Sequence, residues 1–147
     1  MTWKPERHTA LAPMIIVSGV DRVIAFAEAA FGARRLGEPL LRSDGRIWNA
    51  AVEVAGSTVL LSDGGEEMRY PAFLHLYVED VDAAFAAALA AGGTEMMPIS
   101  EQFYGDRAGG VSDPCGNIWW LATQVRNMSH EELTAAAREA ETTQGAQ

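Results

Sequence analysis

Apolar residues along this chain follow two periods in turn, and the sequence of periods occurs twice. Pro13-Met-Ile-Ile-Val17 is a short β-branched run that reads as a strand. Val20, Ile24, Ala27 and Phe31 follow at helical spacing, one face of an amphipathic helix that Gly32 closes. Strand candidates come next around Arg35 to Leu41, Ile47 to Val54 and Ser57 to Ser62. They are separated by Ser43-Asp44-Gly45 and Ala55-Gly56, residues suited to hairpin turns. The first half therefore reads βαβββ.

The order returns at an offset of 61 residues, where Val17, Val20, Asp21, Ala25, Ala29, Ala30 and Gly32 recur as Val78, Val81, Asp82, Ala86, Ala90, Ala91 and Gly93. The second copy predicts a strand from Phe73 to Val78, then a helix from Asp82 to Ala91 with Phe85 and Leu89 one turn apart. Strands follow near Glu95 to Ile99, Gly105 to Ser112 and Asn117 to Thr123, with Asp113-Pro-Cys-Gly116 as the last turn. The expected fold is α+β: module one about 10–63, a polar Gly-rich linker at 64–71, and module two about 72–124. A C-terminal helix about 129–141 opens on the capping box Ser129-His-Glu-Glu132, and Thr142 to Gln147 are expected to fray.

With 147 residues, 48% of them hydrophobic, the chain can build one core without staples. The single cysteine, Cys115, excludes an intramolecular disulfide. The first eight residues lack the apolar run of a secretory signal, and no segment approaches the roughly 18 apolar residues of a membrane helix. A cytoplasmic protein with no membrane partner is expected. The formal charge of −9 repels a phosphate backbone and argues against nucleic acid. It accommodates a neutral or cationic ligand more easily, although an acidic surface also serves solubility alone.

Three segments, in order, carry a family resemblance: Leu74-His-Leu-Tyr-Val-Glu-Asp-Val-Asp82, Gln102-Phe-Tyr-Gly-Asp-Arg107 and Asp113-Pro-Cys-Gly-Asn-Ile-Trp-Trp-Leu-Ala-Thr123. With the repeat, the chain over roughly residues 10 to 140 resembles the vicinal-oxygen-chelate superfamily of glyoxalases, dioxygenases and bleomycin-resistance proteins, most closely its PhnB-like branch. The resemblance implies paired modules whose sheets form a cup. In metal-using members the ion is held from the first and last strand of each module. The matching positions here are Ala12, Leu60, Phe73 and Trp120, none of which offers a metal a lone pair. Asn49, Ala51 and Asn117 stand where relatives of that branch carry His, Glu and His. No metal and no cofactor is therefore expected, and acid–base catalysis loses its titratable groups.

What remains of the implied cup is aromatic. Phe73, His75 and Tyr77 share one strand face, Trp120 the matching face of the last strand, with Leu60, and Trp48 or Asn49 by register. Phe103 and Tyr104 fall near a rim, and Arg107 either contacts an anionic ligand or pairs with Asp106 or another carboxylate. Such rings suit a planar or cationic organic molecule, and equally suit core or dimer-interface packing. The resemblance thus implies a metal-independent small-molecule binder acting by sequestration, as in antibiotic resistance, and working as a homodimer. The alternative is a metalloenzyme (lyase, isomerase or dioxygenase) with a displaced site at His75 and Glu53 or Glu101. Whether modules pair within one chain or between chains stays open.

Overall fold

The computed structural model describes residues 2–145. Its first module runs β1 (Met14–Val17), α1 (Val20–Phe31), β2 (Arg34–Arg35), β3 (Leu40–Leu41), β4 (Ile47–Val54) and β5 (Ser57–Asp63). The second runs β6 (Phe73–Tyr77), α2 (Val81–Ala90), β7 (Thr94–Glu101), β8 (Asp106–Ser112) and β9 (Ile118–Gln124), and α3 (His130–Gly145) follows. Sheet one has the order β1-β5-β4-β2, with β3 also on β4, and sheet two the order β6-β9-β8-β7. In each, the first strand lies parallel to the last and the other pairings are antiparallel. This is the α+β fold of two tandem βαβββ modules with a C-terminal helix that the periodicity predicts.

Three local differences have physical causes. The strand expected from Arg35 to Leu41 is broken into β2 and β3, because Gly37 takes φ 79° and Pro39 has no N–H to give the ladder. Leu89, one turn after Phe85 in α2, is 39% exposed, and Val81, Phe85 and Ala88 are the residues that helix buries. The C-terminal helix continues through Gly145, with Thr142 and Thr143 hydroxyls donating to the Arg138 and Glu139 carbonyls one turn back. Of the stretch expected to fray, Ala146 and Gln147 lie outside the described residues. Half of the expected capping box forms: Glu132 N–H donates to Ser129 Oγ, while the Glu132 carboxylate accepts from the Ser129 hydroxyl rather than from its backbone N–H, both at 3.1 Å.

Strand alternation gives each sheet an inward face, and the two inward faces share one core with the helices. Ile15, Val17, Val52, Val54, Val59 and Leu61 from sheet one belong to one buried cluster with Val111, Trp119 and Leu121 from sheet two. Phe26 and Phe31 of α1 reach across the module boundary to the Trp119 ring, with centroids 6.1 and 5.0 Å away. The linker is not a loose tether. Tyr70 exchanges backbone hydrogen bonds of 3.1 and 2.7 Å with Ile16, so it covers the free edge of β1 just before the chain enters β6. No helix of the described residues is long and apolar enough to cross a membrane.

Candidate ligand site on the outward sheet faces

The period of two that buries Ile15, Leu61 and Trp119 and half-buries Leu74 turns Met14, Leu60, Phe73, His75, Tyr77 and Trp120 outward. On sheet two, His75 lies in register with Trp120 and Phe73 with Ile118, so the aromatic positions expected to share a face do share one. The His75 and Tyr77 rings pack at 4.7 Å with an interplanar angle of 56°. This face is open: Phe73 is 67% and Tyr77 58% exposed.

Tyr77 has a partner that sequence reasoning missed. Its hydroxyl donates 2.8 Å to Oδ2 of Asp106, a buried carboxylate on β8. Asp106 appears in the sequence only as a neighbour of Arg107, and nothing in its spacing from Tyr77 announces the contact. Accepting that hydrogen bond, the carboxylate holds the Tyr77 phenol above the usual tyrosine range, with burial and the nearby negative charge adding to it. An alkaline titration of tyrosine absorbance should therefore show a late-titrating phenol that is absent from Tyr77→Phe and returns toward normal in Asp106→Asn.

On sheet one, Leu60 pairs in register with Met14 and with Ala51. Trp48 and Asn49 are both exposed at the start of β4, and Asn49 pairs with Leu40. Trp48 carries the Arg42 guanidinium over its ring, 4.4 Å from the centroid, and Arg42 Nη2 donates 2.9 Å to the Asp63 carbonyl. Met14, Ile16, Arg42, Trp48, Ser62 and Met68 contribute to a cleft of about 700 Å³ between this face and the linker. Neither Arg42 nor its stacking on Trp48 could be read from a six-residue spacing that crosses a turn.

The other sequence candidates are placed elsewhere. Phe103 packs edge-to-face on Tyr104 at 5.1 Å and lines a cleft with Met128 and Ala136, so it belongs with the C-terminal helix. Arg107 forms a two-pronged pair with Asp82 at 2.9 Å per contact, at the start of α2; its carboxylate partner is Asp82, and Asp106 serves Tyr77 instead. Cys115 is buried, its thiol donates to the Gly19 carbonyl at 3.4 Å, and burial pushes its pKa up, the opposite of an activated nucleophile. Asn117, at a position where relatives carry His, is fully buried: its amide donates to Asp113 and its oxygen accepts the Ala72 N–H at 2.9 Å.

These side chains do not fit a metal. The positions that the resemblance matches to the family's ligands are Ala12, which lies before β1, Leu60, Phe73 and Trp120. The register sets Met14 beside Leu60 and His75 beside Trp120, and among the described residues no second donor joins His75. Glu53 lies on β4 of the other sheet in a 2.7 Å pair with Arg34, and Glu101 lies on β7, separated from β6 by β9 and β8. Among the described residues no three His, Cys, Asp or Glu side chains gather.

Two tandem βαβββ modules, each parallel between first and last strand and each presenting an open outward face, define the class of paired-module proteins. The chain belongs to the Glyoxalase/Bleomycin resistance protein/Dioxygenase superfamily, whose family model matches residues 7–121. The uncharacterized protein Rv0887c of Mycobacterium tuberculosis is 38% identical over 139 residues, covering 86% of this chain and 81% of its own. Among solved structures, the fosfomycin resistance protein FosX from Listeria monocytogenes matches with a TM-score of 0.65 at 15% identity, over 85% of this chain and 97% of its own. A PhnB protein from Bacillus cereus matches with a TM-score of 0.63 at 15% identity, over 78% and 99% respectively. At such identities these two structures show the fold alone.

Proposed function

We propose that this protein binds a small planar organic molecule without a metal, in a cup that a homodimer completes, and that it belongs to the PhnB-like branch of its superfamily. The observation that carries the reading is the pairing of an aromatic outward face with metal positions that hold no donor. Phe73, His75, Tyr77 and Trp120 supply flat surface on sheet two, and Trp48 supplies it on sheet one. Flat rings with a few polar handles bind through buried area and stacking, which sequesters a molecule without transforming it.

The second copy is supported by exposure. Met14, Leu40, Leu41, Trp48, Phe73, Tyr77, Met96 and Met97 are all large apolar side chains left open to solvent, more than scattered surface residues require. Sheet one of one protomer set against sheet two of its partner would cover them and enclose a ligand between the aromatic faces. The branch assignment is supported by the three sequence segments at 74–82, 102–107 and 113–123.

Two measurements test this. Light scattering on a size-exclusion column should give twice the 15.8 kDa chain mass, and Phe73→Asp should return the monomer. Protein dialysed against EDTA should bind planar aromatic probes saturably in calorimetry, with no gain when zinc, nickel, manganese or iron(II) is added. A monomer would remove the shared cup. Binding that appears only with a metal would overturn the metal-independent reading.

A further inference from the structure

Arg42 is the cation of the sheet-one cleft that forms no ion pair among the described residues. It sits in the turn after β3, where its backbone N–H donates 2.7 Å to the Arg46 carbonyl. One guanidinium N–H is used on the Asp63 carbonyl, and Nε is buried with no hydrogen-bond partner. Among the described residues no carboxylate pairs with it. Asp44, two residues on in the turn, feels the Arg42 charge but accepts its hydrogen bonds from Arg46, and Asp63 has both side-chain oxygens committed to the N–H groups of Gly19, Val20 and Ile47. Arg46, the second arginine of the cleft, is already paired with Asp44 at 3.1 Å. Glu66 and Glu67 also line the cleft, but from the exposed linker.

The guanidinium is also pre-oriented. Stacked on Trp48 and tied to a main-chain carbonyl, it has lost the freedom that a surface arginine keeps, and its remaining donors are fixed relative to the cleft. A planar fork with free donors, beside apolar Met14, Ile16 and Met68, is complementary to a carboxylate joined to an apolar or aromatic body. A cation would meet Arg42 as a like charge, and a neutral molecule would leave its donors unused.

We infer that the sheet-one cleft takes a carboxylate-bearing aromatic or apolar molecule, with its anionic group on the Arg42 guanidinium and its body against Trp48, Met14 and Ile16. This rests on the reading that the outward faces bind a ligand, and it replaces the neutral or cationic ligand that the net charge alone suggests.

Calorimetry of the full chain against three matched probes tests it: 2-naphthoate, 2-naphthamide and 2-naphthylmethylammonium. The acid should bind roughly tenfold tighter than the amide, with the ammonium weakest. Rising salt should weaken the acid alone, and Arg42→Met should bring acid and amide level. Should Arg42→Met fail to fold, the ranking of the three probes on the unaltered protein still decides. Equal binding of acid and amide, or tightest binding of the ammonium, would overturn the anion assignment while leaving the binding function intact. Binding of none of the three would overturn the binding function and the assignment together.

Discussion

Replacing Asp113 with alanine is expected to cost about 4 kcal/mol of stability, a large share of the roughly 5–15 kcal/mol that holds a domain of this size. The Asp113 carboxylate is 5% exposed and accepts from the Cys115 and Asn117 N–H groups, the Asn117 amide and the Trp119 indole, at 2.9 to 3.2 Å. Alanine leaves those donors buried without an acceptor, and each such orphan costs about 1–3 kcal/mol. The damage should not stay in the turn. Asn117 also accepts the Ala72 N–H at the entry to β6, and Trp119 is the ring on which Phe26 and Phe31 of the other module pack. One carboxylate therefore sets the relation of β6 to β9 and, through it, the alignment of His75 with Trp120 on the outward face. Urea unfolding followed by tryptophan fluorescence should show a midpoint shifted far down with the slope kept. Asp113→Asn should fall between, since one oxygen remains while the new amide faces the Asn117 and Trp119 donors. An unfolding free energy within about 0.5 kcal/mol of the unaltered protein would mean that water satisfies the turn.

The repeat was readable because both modules obey the same two periods, and a helix or strand that buries one face must show it in its own sequence. Val17 to Phe31 and Phe73 to Ala91 announced their elements in that way, and the strand registers then placed Phe73, His75, Tyr77 and Trp120 on a common outward face. The polar contacts that define the site obey no period. Tyr77 meets Asp106 across 29 positions, and Arg42 meets the Asp63 carbonyl across 21. Asp63 closes the first turn of α1 from 44 residues away. These pairings exist only after the sheets have formed, and Asp, Arg and Tyr at such separations resemble any solvated surface. Arg107 shows the converse: its neighbour in sequence is Asp106, yet alternation along β8 sends the two side chains to opposite faces, so Arg107 reaches Asp82 and Asp106 reaches Tyr77.

Asp63 is the second position where a single substitution should act on the whole first module, and pH will reveal it. The carboxylate accepts from Gly19 and Val20 at 2.8 and 3.0 Å on one oxygen and from Ile47 at 2.7 Å on the other, joining the start of α1 and the start of β4 to the end of β5. Burial raises its pKa, but the N–H groups of Ile47, Val20 and Gly19, with the charge of Arg46, outweigh burial and hold it below the ordinary carboxylate value. A group depressed in the folded state adds stability above the unfolded pKa of about 4 and loses it as pH falls through the lower folded value. Asp63→Asn removes the charge and turns an N–H donor toward the Ile47 N–H, so it should cost about 2–3 kcal/mol at pH 7. The loss should shrink on acidification, because below its folded pKa the native residue is neutral too. Urea midpoints of the two proteins, compared at pH 7 and at pH 3, should converge, whereas a constant gap would mean that the Asp63 charge is not what the three N–H groups read. Arg42 bonds the Asp63 main-chain carbonyl rather than its side chain, so the variant, where folded, should keep the unaltered protein's ranking of acid over amide probes.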